Sequence, residues 1–187
     1  QQKPQANLVY SDEDKISDDG MRACPHFKPA FNIDLLLSYN FISHLGVYRR
    51  EILKQIGGFR VGFEGSQDHD LALRTVLESS PDQIIHIPRV LYHWRAHSES
   101  TASNPDSKDY TTESGHKAVQ HFLDEQHRRG GVRATARIKA KNRFTCQWHI
   151  PDKSPSVELI IPTRDQAEVL NLAVDSIITK TTYTNYT

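Results

Sequence analysis

The chain has 187 residues, of which 37% are hydrophobic and 25% charged, and its formal net charge is zero. This is the composition of a globular protein, and a zero net charge gives no overall field that attracts nucleic acid or an anionic membrane. The two cysteines lack the CxxC spacing of a structural zinc site. No apolar run approaches the roughly 18–20 residues that cross a bilayer. The most basic stretch, residues 127–143, is almost free of aromatic side chains for base stacking, so no nucleic-acid partner is expected.

The first third of the chain predicts short strands and one helix, separated by polar loops. Apolar and β-branched runs indicate strands, while Asp-Gly and proline-rich stretches indicate turns and loops. A helix containing Ile52, Leu53 and Ile56 should end at Gly57-Gly58, because glycine readily adopts the left-handed conformation that ends helices. The other elements predicted here are a strand at 8–11, a polar turn at 15–22, an extended loop at 24–34 and a strand-like segment at 41–48.

The middle of the chain predicts two helices with strands between and after them. One helix follows the loop that contains Gly65 and ends before Pro81, and the other occupies 116–129 and ends at Gly130-Gly131. Their apolar faces are predicted to contain Leu73, Val76 and Leu77 in the first helix, and Ala118, Val119, Phe122 and Leu123 in the second. The remaining predictions are two short strands around Pro88, a long polar segment at 97–114 and two extended segments within 132–150.

The last part of the chain predicts a new domain. Residues 151–155 are rich in proline and serine and are interpreted as a linker. The apolar run VELIIP then predicts a buried strand, and the periodic residues after Thr163 predict a helix, which together open a βαβ unit. We therefore expect a first domain at 1–150 and a second at 156–187, both parts of a longer polypeptide.

The acidic stretch after the first strand has two interpretations. Asp12 and Asp14 are two positions apart, so in an extended backbone they point the same way and could hold a hard divalent cation. The alternative is a solvated acidic turn, in which Asp12, Glu13 and Asp14 face water.

Asp68 lies at the predicted start of the helix after Gly65. It could accept backbone hydrogen bonds as the N-cap, or it could act as a general base that removes a proton from a hydroxyl. Asp70, in the first turn, could interact with the helix dipole.

His93, Arg95 and His97 alternate along one strand, which places all three on the same face, with Trp94 on the other. Imidazole can complete a metal shell and arginine suits phosphate, but these could also be ordinary surface residues. At the end of VELIIP, Thr163 and Asp165 occupy the position of a nucleotide site in a doubly wound sheet. Asp165 followed by Glu168 also has the spacing of a helix capping box, which is compatible with that site.

Several of these motifs, in this order, resemble family-2 glycosyltransferases with the GT-A fold. The resemblance covers roughly residues 5–103 and 156–187, in the arrangement of a tandem bacterial enzyme that builds cell-surface polysaccharide. The motifs that carry it are SDED, LGVYRREILKQIGGF, FEGSQDHDLALR, IPRVLYHWRAHSEST and VELIIPTRDQAEVL.

The resemblance implies an α/β fold: a Rossmann-like mixed sheet flanked by helices, truncated because the opening strand and helix of the first domain lie before Gln1. Residues 1–150 would be the C-terminal part of one GT-A domain with a connector. Residues 156–187 would be the opening strand and helix of another.

The resemblance also implies site residues. Asp12 and Asp14 match the DxD pair that binds Mn²⁺ or Mg²⁺, with His93 as a further metal ligand, and Asp68 matches the base that deprotonates the acceptor. Asp68 follows Gln67 here, where many relatives have Glu, and Asp165 replaces the commoner Asn. The positions that match contacts to the nucleotide-diphosphate sugar are Asp12, Glu13, Arg95, His97, Thr163 and Asp165.

The function implied is metal-dependent, inverting transfer of a sugar from a nucleotide-diphosphate sugar to a saccharide or lipid-linked saccharide acceptor. The full-length enzyme would be cytoplasmic, with peripheral association at the inner face of the cell membrane. Two alternatives are a non-catalytic nucleotide- or carbohydrate-binding module and a metal-dependent phosphohydrolase.

Overall fold

The computed structural model describes residues 3–95, 109–151 and 153–187. Backbone contacts divide the chain into two compact units, Gln1–His149 and Ile150–Thr187. Among the residues described, the first unit contains a four-stranded sheet, a two-stranded hairpin and four α-helices, and the second contains one α-helix. In this part of the chain no helix has both the length and the apolar character needed to cross a bilayer.

The first unit is built around strand β1 (Leu8–Ile16). One edge of β1 pairs in parallel with β4 (Ile84–Arg95) along its length. The other edge pairs antiparallel with two shorter strands, β3 (Gly46–Tyr48) beside its first half and β2 (Arg22–His26) beside its second half. The sheet is therefore mixed, with β1 at its centre.

Helices and a hairpin pack around this sheet. Helix α4 contacts α3 and strand β5, and α1 contacts strand β6, so the hairpin lies against the helical layer. The bounds are α1 (Ile33–Ser38), α2 (Arg50–Ile56), α3 (Gln67–Leu77), a 3-10 turn (Pro81–Gln83), α4 (Asp109–Arg128), β5 (Ala134–Ala140) and β6 (Arg143–Trp148).

Two helix ends show why the local sequence folds as it does. Helix α1 is capped by Asn32, whose side chain accepts a hydrogen bond of 2.8 Å from the N–H of Leu35. Helix α2 ends at Gly57, which has a left-handed φ of 79°. The N–H of Gly58 then donates to the carbonyl of Leu53 at 2.9 Å. The predicted glycine stop of α2 is confirmed.

The apolar core lies between β1, α3, α4 and the hairpin. The four residues predicted for the face of α4 are all buried. Of the three residues predicted for α3, Leu73 is buried, whereas Val76 and Leu77 are half-buried and pack against the core. Burying an aliphatic or aromatic side chain of this size contributes about 1.5–3 kcal/mol, so this face holds α4 in place. The core includes Leu8, Tyr10, Leu36, Phe41, Leu73, Val119, Phe122, Leu123 and Phe144.

Four predictions about strands are wrong in extent. Strand β1 continues to Ile16 rather than ending at Ser11, and β2 forms where an extended loop was expected. Only Gly46–Tyr48 of the segment predicted at 41–48 is a strand, and β4 is one strand instead of two around Pro88. Pairing with distant segments explains these differences. The β1–β4 register moves from Ser11 opposite Ile87 to Asp12 opposite Val90, so Pro88, which has no N–H to donate, lies in a bulge.

Helix α4 also begins earlier than predicted, at Asp109 instead of residue 116. The end of the predicted polar segment is therefore helical. Residues 96–108 of that segment lie outside the described part of the chain. The two extended segments predicted within 132–150 are confirmed as the antiparallel hairpin of β5 and β6.

The second unit contains helix α5 (Ala167–Lys180), as predicted. The continuous strand predicted for VELIIP is wrong: the segment forms one parallel bridge, between Val157 and Tyr186, and Ile160 is 83% exposed. An apolar strand needs paired neighbours along its length, and in this unit only the final residues of the chain pair with it. A parallel bridge with a helix between its two partners is the minimal form of a βαβ connection.

The mixture of helices and a mixed sheet confirms the α/β class. The GT-A arrangement stays a prediction.

Candidate functional site

The acidic stretch lies inside a strand, and its side chains do not face water. Asp12, Glu13 and Asp14 occupy the second half of β1 and are 3%, 7% and 4% exposed. The expectation that they follow the end of the strand is wrong, as is the alternative of a solvated turn. Buried carboxylates need charged or hydrogen-bonding partners, and each of the three has them.

Asp12 is held by partners from two segments. Its Oδ1 accepts from the backbone N–H of Lys28 at 3.0 Å and lies 2.8 Å from Nε2 of His86. The His86 ring in turn stacks on Tyr10, with centroids 4.8 Å apart. Asp12 therefore joins β1, β4 and the segment after β2.

Asp14 is paired with the predicted metal ligand His93. Oδ1 of Asp14 lies 2.5 Å from Nδ1 of His93, and Oδ2 accepts from Nε of Arg22 at 2.6 Å. Burial would raise the pKa of Asp14, but the hydrogen bonds and charges of His93 and Arg22 outweigh it and lower that pKa. Asp14 and His93 were predicted to share a site, whereas the contact of Arg22 with Asp14 was not predicted.

Glu13 lies among three cationic or titratable side chains. Its carboxylate oxygens lie 3.2 Å from Nδ1 of His26 and 3.2 Å from Nδ1 of His44, and 3.7 Å from Nζ of Lys28. The Lys28 side chain is fully buried, and its Nζ also donates to the carbonyls of Ile42 and His44. Burial lowers the pKa of Lys28, while the charges of Glu13 and Asp12 act in the opposite direction.

This arrangement does not fit a metal centre as it stands. In the residues that the structure describes, no group of three or more His, Cys, Asp or Glu side chains is placed to hold a metal ion. The oxygens of Asp12 and Asp14 instead bind Lys28, His86, Arg22 and His93. The divalent cation therefore stays a prediction of the resemblance.

Asp68 lies at the start of α3, but it is not the N-cap. That position belongs to Ser66, so the capping interpretation of Asp68 is wrong. Oδ1 of Asp68 accepts from the N–H of His69 at 2.9 Å, and Oδ2 accepts from Nδ2 of Asn40 at 2.9 Å. Burial raises the pKa of the half-buried Tyr48 side chain, and the charge of Asp68 raises it further.

Asp68 lines a cavity of about 300 Å³. Three segments form its walls: the chain after α1, the start of α3, and the turn of the β5–β6 hairpin. The lining residues are Tyr39, Asn40, Ser43, Gly65, Ser66, Asp68, His69, Lys141, Asn142, Arg143 and Phe144.

A series of hydrogen bonds connects Asp68 to the acidic strand. Asn40 donates to Asp68 and accepts from the N–H of Ser43 at 3.3 Å. The Ser43 hydroxyl lies 3.0 Å from Nδ1 of His44, which is itself 3.2 Å from Glu13. The two motifs predicted to act together are therefore joined through residues 40–44, which sequence analysis had assigned no functional role.

Asp70 lies in the first turn of α3, as predicted, and it also forms a buried ion pair. It is 1% exposed and accepts from Nε of Arg74 at 2.8 Å and from Nε of Arg60 at 3.2 Å. Arg74 also donates to the carbonyls of Ile56 and Gly58, at 2.7 and 2.5 Å. The pair therefore fastens α3 to the end of α2.

Of the other site residues predicted on β4, Arg95 is not among the residues that line the cavity. Arg95 is exposed at the end of β4, opposite Ile16, and His97 lies outside the described residues. Trp94 is half-buried, with its ring 5.3 Å from that of His44, so the expected packing on the opposite face is confirmed.

In the second unit, Thr163 and Asp165 are both exposed. The capping box predicted from Asp165 and Glu168 is wrong, because α5 begins after Gln166, which makes no side-chain cap hydrogen bond.

Comparison with known proteins finds two relatives and no matching family model. The chain is 40% identical, over 98% of its length, to an uncharacterized protein of Sinorhizobium fredii, y4gI. It is 36% identical, again over 98% of its length, to the O-antigen biosynthesis protein RfbC of Myxococcus xanthus. The chain spans 20% of the first relative and 14% of the second, so it corresponds to a limited region of each.

Proposed function

We propose that this chain is part of a glycosyltransferase that acts in the synthesis of a cell-surface polysaccharide. The observation that carries the proposal is its 36% identity, over 98% of the chain, to a protein named for O-antigen biosynthesis. The donor would be a nucleotide-diphosphate sugar and the acceptor a saccharide or a lipid-linked saccharide. Transfer would be inverting, with the full-length protein acting in the cytoplasm at the inner face of the membrane.

Asp68 is the proposed general base. Its carboxylate lines a cavity beside a helix start, and Asn40 holds one of its oxygens at 2.9 Å. A base oriented in this way can accept the proton of an acceptor hydroxyl as that oxygen attacks the anomeric carbon. A single displacement of this kind inverts the anomeric centre.

Charge also develops on the leaving diphosphate, and cationic groups stabilise it best when they are already in place. The cation predicted for Asp12, Asp14 and His93 would supply such charge, but these side chains are engaged with one another and with Arg22, His86 and Lys28. We therefore keep metal dependence as a separate part of the proposal and assign no step to it. The proposed base depends only on the Asp68 cavity.

The experiment is Asp68→Asn in the polypeptide that carries this chain. Loss of a positioned base should lower kcat by about 10²- to 10⁴-fold while leaving affinity for the nucleotide sugar largely intact. Sugar transfer is measured with radiolabelled donor and nucleotide binding by calorimetry. Asp82→Asn, which changes an exposed carboxylate of the 3-10 turn, is the matched control and should keep full turnover. Unchanged turnover in Asp68→Asn would reject the assigned base.

A further inference from the structure

The turn of the β5–β6 hairpin is fixed to the start of α4. Asn142, at φ 51°, accepts from the hydroxyls of Thr111 and Thr112 at 3.1 and 3.2 Å, and its own N–H donates to Thr112 Oγ1 at 3.1 Å. Three hydrogen bonds on one residue hold the turn in a defined place. Its neighbours, Lys141 and Arg143, are therefore presented from a rigid position.

Phe144, which directly follows the turn, is buried and holds the turn against two helices. It is 3% exposed, and its ring centroid lies 6.1 Å from that of His69 in α3 and 6.5 Å from that of His116 in α4. Gly115 allows this close approach, because a Cβ there would lie 2.7 Å from Cζ of Phe144. The hairpin turn is thus packed against α4 and against α3, whose start lines the Asp68 cavity.

Lys141 and Arg143 both line the same cavity as Asp68. The guanidinium carbon of Arg143 lies 3.8 Å from the ring centroid of Tyr39, which orients the plane of the group and leaves its N–H edges for hydrogen bonding. In the part of the chain that the structure describes, Arg143 makes no ion pair, whereas Arg22, Arg60 and Arg74 each pair with a buried carboxylate.

Among the described residues that line the cavity, two basic side chains, Lys141 and Arg143, accompany one carboxylate, Asp68. Burial lowers the pKa of His69, so its ring is uncharged near neutral pH. A volume of about 300 Å³ is at the lower end of the range for small-molecule sites. Such a cavity suits a sugar unit that carries an anionic oxygen group.

We propose that Lys141 and Arg143 bind a carboxylate or phosphate group of the acceptor saccharide, whose reacting hydroxyl faces Asp68. This proposal rests on the proposed function, because it assumes that the cavity binds the acceptor saccharide. It adds that this acceptor is acidic. Arginine presents paired N–H donors that match a carboxylate or phosphate, and lysine adds a point charge beside them. The basic stretch at 127–143 would thus help to select the acceptor.

The test is a titration of the 187-residue chain, followed by NMR, with three probes. These are a uronic-acid disaccharide, its neutral hexose counterpart and a hexose phosphate. Binding of an acidic probe should be about tenfold tighter than binding of the neutral one, as charge-assisted hydrogen bonds predict. The uronate and the phosphate probes distinguish the two sources of the oxygen anion.

The variant Lys141→Gln/Arg143→Gln should lose this preference. The matched control is Arg137→Gln/Lys139→Gln, which removes two exposed charges from the same hairpin outside the cavity lining and should keep it. Arg143→Lys, which retains the charge, should retain part of the preference. Equal affinity for acidic and neutral probes, or an equal loss in the control, would overturn the proposal.

These titrations measure no turnover, so their outcome is separate from that of the proposed function. If the parent polypeptide transfers sugar but the chain shows no acidic preference, this inference alone fails. If the preference is present and follows Lys141 and Arg143, but no sugar transfer occurs with any acceptor, the acidic site stands and the proposed function fails.

Discussion

Asp70 is the most deeply buried carboxylate among the described residues, and its pairing with Arg74 holds α3 against the end of α2. Its partner Arg74 is 6% exposed, so the two charges lie in an environment of low dielectric. A buried pair of this kind adds little compared with apolar residues, but removal of one partner leaves the other charge uncompensated. The carboxylate should therefore be intolerant of neutralisation.

We predict that Asp70→Asn lowers the free energy of unfolding by about 3–5 kcal/mol, because Arg74 keeps its charge and loses its partner. Urea denaturation followed by circular dichroism measures this change. Glu51→Gln, at an exposed position of α2, is the control and should change stability by less than about 0.5 kcal/mol. A loss in Asp70→Asn no larger than in this control would show that the ion pair does not support the fold.

Glu13 gives a pH dependence of known sign. Burial would raise its pKa, but the hydrogen bond with His44, the charge of Lys28 and the hydrogen bond with His26 outweigh this and lower the pKa. A carboxylate whose pKa is lower in the folded state stabilises the fold above its unfolded pKa of about 4.3. This stabilisation is lost as the pH falls from that value through the folded pKa.

We therefore predict that Glu13→Gln destabilises the chain by about 1–3 kcal/mol near neutral pH, since buried Lys28 is left without its carboxylate. The difference in free energy of unfolding between wild type and variant should shrink as the pH falls below about 4. Denaturant titrations over a pH series would measure it. A difference that grows on acidification would contradict the assigned sign.

At the scale of elements, helices α2 to α5 were predictable, whereas the short helix α1 and the full extent of the strands were not. The spacing of apolar residues predicts the buried faces of α3 and α4, and the glycine pair predicts the end of α2. By contrast, β1 could run through three carboxylates only because His86 and His93, more than 70 residues away, and Arg22 and Lys28 surround them. The polar residues after Ser11 predicted a turn, because the local sequence does not contain the distant partners that bury these carboxylates.

The candidate site shows the same division. Asp68 could be singled out by its place before a periodic helix, and it does line a cavity. The other walls come from Tyr39–Ser43 and Lys141–Phe144, which carry no local motif and meet Asp68 only through packing of α1, α3 and the hairpin. The basic stretch at 127–143 was therefore given no role from the sequence, although its last residues line the cavity.

The close approach of Gly115 in α4 to Phe144 in the hairpin can be tested by substitution. We predict that Gly115→Ala destabilises the chain by about 1–3 kcal/mol although alanine favours helices, because its methyl group would lie 2.7 Å from Phe144. Thermal unfolding measures the effect. Glu113→Ala, at an exposed site on the same helix, should cost less than about 0.5 kcal/mol. Stabilisation by Gly115→Ala, as helix propensity alone predicts, would contradict the packing at this contact.

At the scale of the whole molecule, the two units differ in how much they bury. The first contains the entire cluster of buried apolar side chains, from Leu8 to Phe144. In the second, α5 has no fully buried residue, and Leu172 and Ile178 are 71% and 63% exposed. Few buried contacts imply a small free energy for local opening.

Hydrogen exchange should therefore separate the two units. We predict that amides of β1 and α3 exchange only through global unfolding, whereas amides of 158–166 and α5 exchange by local opening, many orders of magnitude faster. The bridge at Val157 contributes few backbone hydrogen bonds, and α5 lacks the packing that stabilises most helices in proteins. Mass spectrometry of peptides from the intact 187-residue chain measures both regions in one sample, so β1 is the internal control. Equal protection of α5 and α3 would show that the second unit is stabilised by contacts beyond those within Ile150–Thr187.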